Sequence, residues 1–457
     1  MIGASPLLSA LFHDEPTIES LSLMGLEASA VGNHEFDRGR AELLRLQRGG
    51  CHIDGCKGPA PFTGARFQYL AASTLDERSG QTLLPAYHVK SFQGVPVAFI
   101  GLTLKDTPNI VMPSGVAGLR FLDEADTVNA LVPRLRAQGI EAIVLLIHEG
   151  GFPSGDYNEC PGLSGPIVDI VGKLDKAVSV VISGHTHRAY NCRVDGRLVT
   201  SGDKYGTVLT QIDMLLSPAS GKVLSAVANN VIVRPETFAK DPRQTQLIAA
   251  YEQLAGPLGR RVVGRIAAAL PRDENAAGES ALGQVVADAQ LAATAGAGAQ
   301  IALMNPGGLR TALALPADGL LRYEDLFSVQ PFYNNLVTLT LSGEQLVQLL
   351  EQQWLGQPRP RVLQVSRGFG YTWDAARPAG QRVVAGSLRL NGQPVTLDAR
   401  LRVTVNSYLA SGGDNFSVLK AGDTATTGMM DIDAFELFLQ QNPLLAPGAL
   451  DRIVRLN

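Results

Sequence analysis

The sequence has few charged residues, and neither sign of charge dominates any segment. Only 18% of the 457 residues are Asp, Glu, Lys or Arg, and the formal net charge is -4. Without a cluster of lysine and arginine the chain lacks the electrostatic pattern of a nucleic-acid-binding protein. No apolar run reaches the roughly 20 residues that span a bilayer as a helix. The 48 glycines and 26 prolines are typical of a loop-rich enzyme, and the length allows two or three domains.

Cysteine is also scarce, and its four positions form two local pairs. Cys51 and Cys56 flank a short polar stretch, whereas Cys160 and Cys192 lie in loops expected to leave the same face of a sheet. Two disulfides would indicate an oxidising compartment. Four reduced thiols in a cytosolic protein are the alternative. A zinc site made of all four thiolates is disfavoured, because no Cys-x-x-Cys spacing occurs. We expect the two disulfides.

Three short polar motifs each follow an apolar run that is typical of a buried strand. The runs are residues 27–31, 142–147 and 177–182, and the motifs are Gly-Asn-His-Glu at 32–35, Ile-His-Glu-Gly at 147–150 and Gly-His-Thr-His at 184–187. Strands that alternate with helical segments predict a doubly wound α/β layer, which places ligands beyond the carboxyl ends of its strands. Imidazoles and a carboxamide would then meet at one edge. These groups suit Zn, Mn, Fe or Co.

Hydrophobic periodicity and turn residues predict a connecting helix and a second domain. Helical spacing at residues 244–254 ends at Gly256-Pro257, and a second domain begins near residue 262. There Ser280 can cap a helix over residues 281–294, and Ser342 with Gln345 has the spacing of a capping box. Asn391-Gly392 predicts a hairpin. Further predicted elements are helices at 6–26, 124–138 and 167–174, and strands at 69–73, 95–102, 208–215, 301–304 and 401–405.

The motifs resemble those of a known enzyme family over nearly the whole chain. Gly-Asn-His-Glu followed by Gly-His-Thr-His is similar to the calcineurin-like metallophosphoesterases. In the C-terminal half, Asn-Pro-Gly-Gly-Leu-Arg at 305–310, Gln-Pro-Phe-Tyr-Asn at 330–334 and Gly-Gly-Asp-Asn-Phe at 412–416 resemble the C-terminal domain of bacterial 5′-nucleotidases. The resemblance implies an α/β fold (α+β overall), a metallophosphoesterase-type sandwich of sheets flanked by helices. It implies a metallophosphoesterase domain at 1–235, a linker helix at 236–262 and a separate α/β substrate-binding domain at 263–457.

The resemblance also assigns metal ligands and a catalytic histidine. It implies that Asn33, His148 and His185 bind one divalent ion and that His187 binds a second; zinc, manganese, cobalt and iron are the candidates. His34 would face the substrate phosphate, where an imidazole can change its charge near neutral pH. Asp37 would hydrogen-bond the other ring nitrogen of His34 and fix its tautomer. The remaining histidines, at positions 13, 52 and 88, lie outside any motif, and we interpret them as ordinary loop residues.

Two metal motifs of the family are not found in this sequence. An Asp-x-His and a Gly-Asp should precede the Gly-Asn-His-Glu motif, and without them the second ion site is incomplete. In relatives the Gly-Asp is followed by a segment similar to residues 1–6, so we expect Met1 to be an internal methionine of a longer protein. Loss of two central strands would expose apolar edges. We therefore expect the given chain to be unstable or inactive and an upstream-extended chain to be competent.

The C-terminal motifs imply a nucleotide site. By resemblance, Phe332 and Tyr408 would clamp the base, Asp414 would accept hydrogen bonds from the ribose, and Asn334 would contact the base edge. Asn305, Arg272 and Arg310 complete the implied substrate-binding set, the arginines as planar donors to phosphate. Ordinary core packing is the alternative for the two aromatic residues. Ala276 occupies the position where some relatives have another arginine.

The resemblance implies metal-dependent hydrolysis of nucleoside 5′-monophosphates, with nucleotide phosphodiesters as a close variant. The partner is then a small nucleotide, and the compartment is periplasmic or extracellular, although no signal peptide is recognisable in this sequence. The alternative is a non-catalytic nucleotide-binding remnant that lacks a complete dimetal site. Metal identity, base preference and oligomeric state do not follow from the sequence.

Overall fold

The computed structural model describes all 457 residues, which form two compact units. The first comprises Met1 and Glu15–Ala250, and the second comprises Ile2–Asp14 and Tyr251–Asn457. The division falls within one long helix. The domain limits expected at residues 235 and 262 stay predictions.

The helices and strands follow in chain order. The helices are α1 Leu7–Ala10, α2 Glu15–Leu23, α3 Arg40–Arg48, α4 Thr107–Ile110, α5 Glu124–Ala137, α6 Pro166–Lys173, α7 Pro242–Gly259, α8 Ala281–Ala293, α9 Tyr323–Val329, α10 Gly343–Glu351, α11 Ser407–Ala410 and α12 Asp431–Gln441. The strands are β1 Ala28–Ala30, β2 Gln68–Leu70, β3 Thr74–Asp76, β4 Tyr87–Phe92, β5 Val95–Thr103, β6 Leu119–Phe121, β7 Ala142–His148, β8 Val178–Ser183, β9 Ala189–Val194, β10 Arg197–Gly202, β11 Val208–Leu216, β12 Val223–Ile232, β13 Val262–Arg265, β14 Ile301–Met304, β15 Leu320–Arg322, β16 Asn335–Ser342, β17 Gln364–Val365, β18 Phe369–Asp374, β19 Arg389–Leu390, β20 Gln393–Pro394, β21 Arg400–Asn406, β22 Asp423–Met430 and β23 Ile453–Leu456. None of the helices combines the length and the hydropathy needed to cross a bilayer.

The first unit is built on a six-stranded sheet of order β4-β5-β7-β8-β10-β9. Its four inner strands are parallel, and the two edge strands run antiparallel to their neighbours. Alternate side chains of β7 enter different cores: Leu145 packs with α5 and α6, whereas Val144 packs with the β11–β12 hairpin. The predicted sandwich of sheets flanked by helices is confirmed. The doubly wound layer, predicted because strands alternate with helical segments, would have helices on both faces of the sheet. This prediction is wrong for one face, which the β11–β12 hairpin covers.

Local backbone geometry decides where the helices begin and end. Asp123 caps α5 by accepting a hydrogen bond from the N–H of Asp126 at 3.2 Å. The single helix predicted over residues 6–26 is wrong. His13 and Asp14 adopt left-handed conformations, with φ of 55° and 65°, and these interrupt the helix between α1 and α2.

The second unit has a five-stranded sheet of order β17-β14-β21-β16-β22 between two cores. One core joins this sheet to α10 and to the sheet that contains β18, and the other packs α8, α9 and α12. The Ser280 cap on α8, the capping box at Ser342 and Gln345, and the Asn391-Gly392 hairpin between β19 and β20 are confirmed. These features form as predicted because each depends on contacts a few residues apart.

The connecting helix is longer than the sequence predicts. Helix α7 continues past Gly256 and Pro257 to Gly259. Proline removes one backbone donor in the final turn, and the N–H of Arg260 still bonds to the carbonyl oxygen of Gly256 at 3.0 Å. The predicted stop is therefore wrong by one turn.

Both predicted disulfides are present. Cys51 is bonded to Cys56, and Cys160 is bonded to Cys192, so no cysteine is free. The second bridge links the loop after β7 to β9 and closes a loop of 32 residues.

Candidate functional site

Three of the predicted metal ligands meet at one edge of the six-stranded sheet. His148 ends β7, and its Nε2 lies 2.9 Å from Oδ1 of Asn33 and 3.3 Å from Nδ1 of His185. Strands β7 and β8 are parallel, so the residues that follow them leave the same edge. The Thr103 hydroxyl donates to the carbonyl oxygen of Val31 at 2.8 Å and thereby holds the segment before Asn33 against the end of β5.

Glycine allows this close approach. A Cβ atom on Gly32 would lie 2.8 Å from Nδ1 and Cε1 of His148, a distance that no side chain tolerates. The N–H of Gly32 donates to Oε2 of Glu35 at 2.8 Å, and Oε1 of Glu35 accepts from the Met1 amino group at 2.7 Å. The glycine of the Gly-Asn-His-Glu motif is thus needed for packing against His148.

The Gly-His-Thr-His loop carries its histidines in an uncommon conformation. His185 and His187 have φ of 65° and 55°. The Thr186 hydroxyl between them donates to the carbonyl oxygen of Gly151 at 2.9 Å, and the ring of His187 packs edge-on to Tyr205 with centroids 5.6 Å apart. The alternating left-handed residues aim both imidazoles out of one tight loop.

Electrostatics favour the neutral form of the central histidine. Burial above all, followed by the adjacent His185, the chain's amino terminus, His34 and His187, holds the pKa of His148 well below its ordinary value. A neutral imidazole keeps a lone pair for coordination. Burial also raises the pKa of the neighbouring Glu149 to about 7.

The donor set fits a divalent ion. Nitrogen ligands at metal bond lengths of about 2.0–2.1 Å lie roughly 3 Å from one another. The 2.9 Å and 3.3 Å separations among Asn33, His148 and His185 match that spacing. One carboxamide oxygen and two imidazoles are ligands that zinc, manganese, cobalt or iron accepts.

His34 and Asp37 form the predicted pair beside these ligands. His34 begins a short 3₁₀ helix, His34–Phe36, and its Nδ1 lies 2.8 Å from Oδ2 of Asp37. A carboxylate at this distance assigns the proton to Nδ1 and orients the ring. Both side chains are about one quarter exposed, so solvent can reach the pair.

Predicted substrate residues gather at one edge of the five-stranded sheet in the second unit. Asn305 follows β14, and Tyr408 and Asp414 follow the parallel strand β21. The Asn305 amide donates to Oδ2 of Asp414 at 2.8 Å, and the Tyr408 hydroxyl donates to Oδ1 of Asp414 at 2.9 Å. Asn406, at the end of β21, donates to Oδ1 of Asn305 at 3.0 Å and orients its amide.

A second group contains the predicted phosphate and base contacts. The guanidinium of Arg310 lies over the ring of Phe332, 5.8 Å from its centroid, and Arg272 donates to the carbonyl oxygen of Arg310 at 2.6 Å. Asn334 immediately precedes β16 and receives a hydrogen bond from the Ser407 hydroxyl at 3.2 Å. Phe332 and Tyr408 are both partly exposed, in contrast to the fully buried Phe416.

Two further residues contact Asp414 that the sequence motifs did not indicate. Arg361 donates to Oδ1 of Asp414 at 2.5 Å, and Gln357 donates to the backbone oxygen of Asp414 at 2.7 Å. Both belong to a Gln-Pro-Arg-Pro-Arg loop, outside every motif. The two prolines that alternate with arginines in this loop are the only sequence feature that could have drawn attention to these residues.

Comparison with known proteins agrees with these observations. Residues 262–421 match the family model of the 5′-nucleotidase C-terminal domain. Endonuclease YhcR of Bacillus subtilis is 32% identical over 95% of this chain and 34% of its own length, and the cell wall protein Lmo0130 of Listeria monocytogenes is 30% identical over 95% and 58%. The chain thus spans about a third and just over half of these two relatives.

A solved structure resembles both units. The 5′-nucleotidase precursor from Thermus thermophilus superposes with a TM-score of 0.82 at 28% sequence identity, covering 99% of this chain and 88% of that protein.

Proposed function

We propose that this chain hydrolyses nucleoside 5′-monophosphates to nucleoside and phosphate; the match of residues 262–421 to the 5′-nucleotidase C-terminal domain and the similarity to a solved 5′-nucleotidase precursor support this. The observation that carries the proposal is the meeting of Asn33, His148 and His185 within hydrogen-bonding distance. The Vibrio cholerae protein named 5′-nucleotidase, 24% identical over 95% of this chain, supports the same reaction class. Nucleotide phosphodiesters are the variant substrates.

In this proposal the first unit binds the metal ions and carries His34, the residue that acts on the substrate phosphate. Asn33, His148 and His185 hold one divalent ion, and His187 contributes to a second. Bound ions would supply hydroxide at neutral pH and neutralise phosphoryl oxygens. His34 acts at the phosphate or leaving oxygen through Nε2, since its Nδ1 is held by Asp37.

The second unit recognises the nucleoside. Phe332 and Tyr408 offer aromatic faces to the base. The amide of Asn334 contacts the edge of the base, and the carboxylate of Asp414 accepts hydrogen bonds from the sugar. Arg272 and Arg310 carry the donors for a phosphate. The two disulfides and the similarity to a cell wall protein support a periplasmic or extracellular location.

The test is phosphate release from AMP in the presence of Mn, Co or Zn, together with a count of bound metal. It is made on the 457-residue chain. Turnover that disappears with a chelator and returns with metal supports the proposal. Adenosine binding without metal or turnover would favour the non-catalytic alternative.

A further inference from the structure

A buried tyrosine hydroxyl joins the two segments that follow β7 and β8. Tyr190 lies on β9 and is fully buried. Its hydroxyl accepts from the N–H of Gly151 at 3.2 Å and lies 2.6 Å from the hydroxyl of Ser183. Gly151 comes three residues after His148, and Ser183 comes two residues before His185. One side chain therefore contacts both segments that carry the imidazoles.

Proton counting fixes the direction of these hydrogen bonds. The Ser183 hydroxyl has one proton, which it donates to the carbonyl oxygen of Thr200 at 2.6 Å. Tyr190 therefore donates to Ser183 and accepts from Gly151. Burial raises the pKa of Tyr190, so the phenol keeps the proton that it donates. The result is one continuous chain of donors that runs from the loop after β7 to β10, and a phenylalanine on β9 could not complete it.

Direct contacts between the two segments couple their positions. The Thr186 hydroxyl donates to the carbonyl oxygen of Gly151, so both backbone groups of Gly151 are bonded. The N–H of Gly184 donates to the carbonyl oxygen of Glu149 at 3.2 Å, and a Cβ atom on Gly150 would collide with the carbonyl oxygen of Gly184. The segments thus pack backbone against backbone, and a shift of one displaces the other.

The tyrosine ring is held in place by packing. Tyr190 belongs to the apolar core that the six-stranded sheet forms with α5 and α6. Its strand also carries Cys192, which is bonded to Cys160 in the loop after β7. Because the ring is fixed, its hydroxyl sets the positions of Gly151 and Ser183 and does not follow them.

We propose that Tyr190 and Ser183 are positioning residues that hold His148 and His185 at the separation that a divalent ion requires. The two imidazole nitrogens are 3.3 Å apart, close to the roughly 3 Å between nitrogen ligands of one ion. Both residues act through the backbone of the two segments and not by coordination. This inference rests on the proposed function, because it takes the two histidines to be metal ligands.

The first experiment titrates the metal-stripped chain with Co²⁺ alone and follows the visible absorption of the bound ion, which depends on its coordination geometry. Tyr190→Phe should weaken cobalt binding about 10- to 100-fold, the range typical when a group that orients metal ligands is removed, and should change the spectrum at saturation. Tyr371→Phe is the control. Tyr371 is also buried, and its hydroxyl likewise donates and accepts one hydrogen bond, both with Gln353 in the second unit. This variant should bind cobalt like the wild type.

A pair of serines on neighbouring strands gives a second test. Ser183 on β8 and Ser201 on β10 are paired in register and buried, but the Ser201 hydroxyl makes no hydrogen bond. Ser183→Ala should therefore weaken cobalt binding about 10-fold or more, whereas Ser201→Ala should leave it unchanged. Ser183→Thr keeps a hydroxyl and should restore most of the affinity.

The outcomes separate this inference from the proposed function. Wild-type cobalt affinity in both Tyr190→Phe and Ser183→Ala would overturn the inference and leave the metal site standing. Equal weakening in Tyr190→Phe and Tyr371→Phe would also overturn it, because a general loss of stability would then explain the result. Thermal melting shows that each variant is folded at the temperature of the titration. No cobalt binding by the wild-type chain would overturn the proposed metal site together with this inference.

Discussion

Nε2 of His148 lies 2.9 Å from Oδ1 of Asn33, although 115 residues separate them in the chain. The contact exists because β7 ends where the segment after β1 is held against β5. His148→Ala removes the central donor of the three. We expect metal affinity to fall about 100-fold or more, since loss of an outer-shell partner alone costs about 10–100-fold. Metal content after dialysis measures this.

The control for that substitution is His88→Ala, because His88 lies on edge strand β4. Metal content should remain at the wild-type value in this variant. Equal loss in both variants would mean that metal retention does not depend on the cluster.

Asp37→Asn tests the orientation of His34. The amide can no longer accept the Nδ1 proton as a carboxylate does, so turnover should fall about 10- to 100-fold with unchanged metal content. His34→Asn should cost about 100- to 10,000-fold. The control is Asp213→Asn on the exposed face of β11. An Asp37→Asn enzyme with wild-type kcat would refute the assigned role.

Phe332→Ala tests base stacking. Stacking on an aromatic ring contributes about 1–3 kcal/mol for each base, so KM for AMP should rise about 10- to 100-fold. Hydrolysis of a phosphate ester without a base should change little. Phe92→Ala is a matched control, because Lys90 lies over the ring of Phe92 as Arg310 lies over Phe332. Parallel losses on both substrates would indicate a packing role for Phe332.

Asp431 gives the protein a pH-dependent stability. Burial raises the pKa of Asp431 to about 7, whereas an unfolded aspartate titrates near about 3.9. The unfolded chain therefore loses this proton first, and the free energy of unfolding decreases as pH rises from about 4 to about 7. Asp431→Asn should melt higher than the wild type at about pH 8, and the difference should vanish near about pH 4.

The exposed Asp433 on the same helix supplies the control, since Asp433→Asn should show no such pH-dependent gain. A melting temperature of Asp431→Asn that is lower than wild type at about pH 8 would contradict the expected sign.

Loss of the Cys160–Cys192 bridge should lower the free energy of unfolding more than loss of the Cys51–Cys56 bridge. In the chain-entropy model a bridge that closes a longer loop stabilises more, and a 15-residue loop is worth about 3 kcal/mol. The separations here are 32 and 5 residues. Denaturant unfolding of Cys160→Ser/Cys192→Ser and Cys51→Ser/Cys56→Ser compares them. A larger decrease in the free energy of unfolding for Cys51→Ser/Cys56→Ser would contradict the expectation.

Sequence reasoning succeeded where structure depends on neighbours in the chain. Ser342 and Gln345 are three residues apart, and their capping box formed as predicted. The pairing of Arg361 with Asp414 spans 53 residues and depends on two irregular loops that no periodicity describes. The second face of the main sheet shows the same limit, because buried strands look alike whether a helix or a hairpin covers them.

The left-handed backbone at His185 and His187 means that the Gly-His-Thr-His loop takes its shape when the protein folds, before any ion binds. Each such residue costs about 1–3 kcal/mol, which the surrounding loop must offset. The chain therefore bears this cost during folding and leaves little reorganisation for the moment of coordination. A preorganised set of imidazoles should therefore discriminate among ions by their radius and geometry.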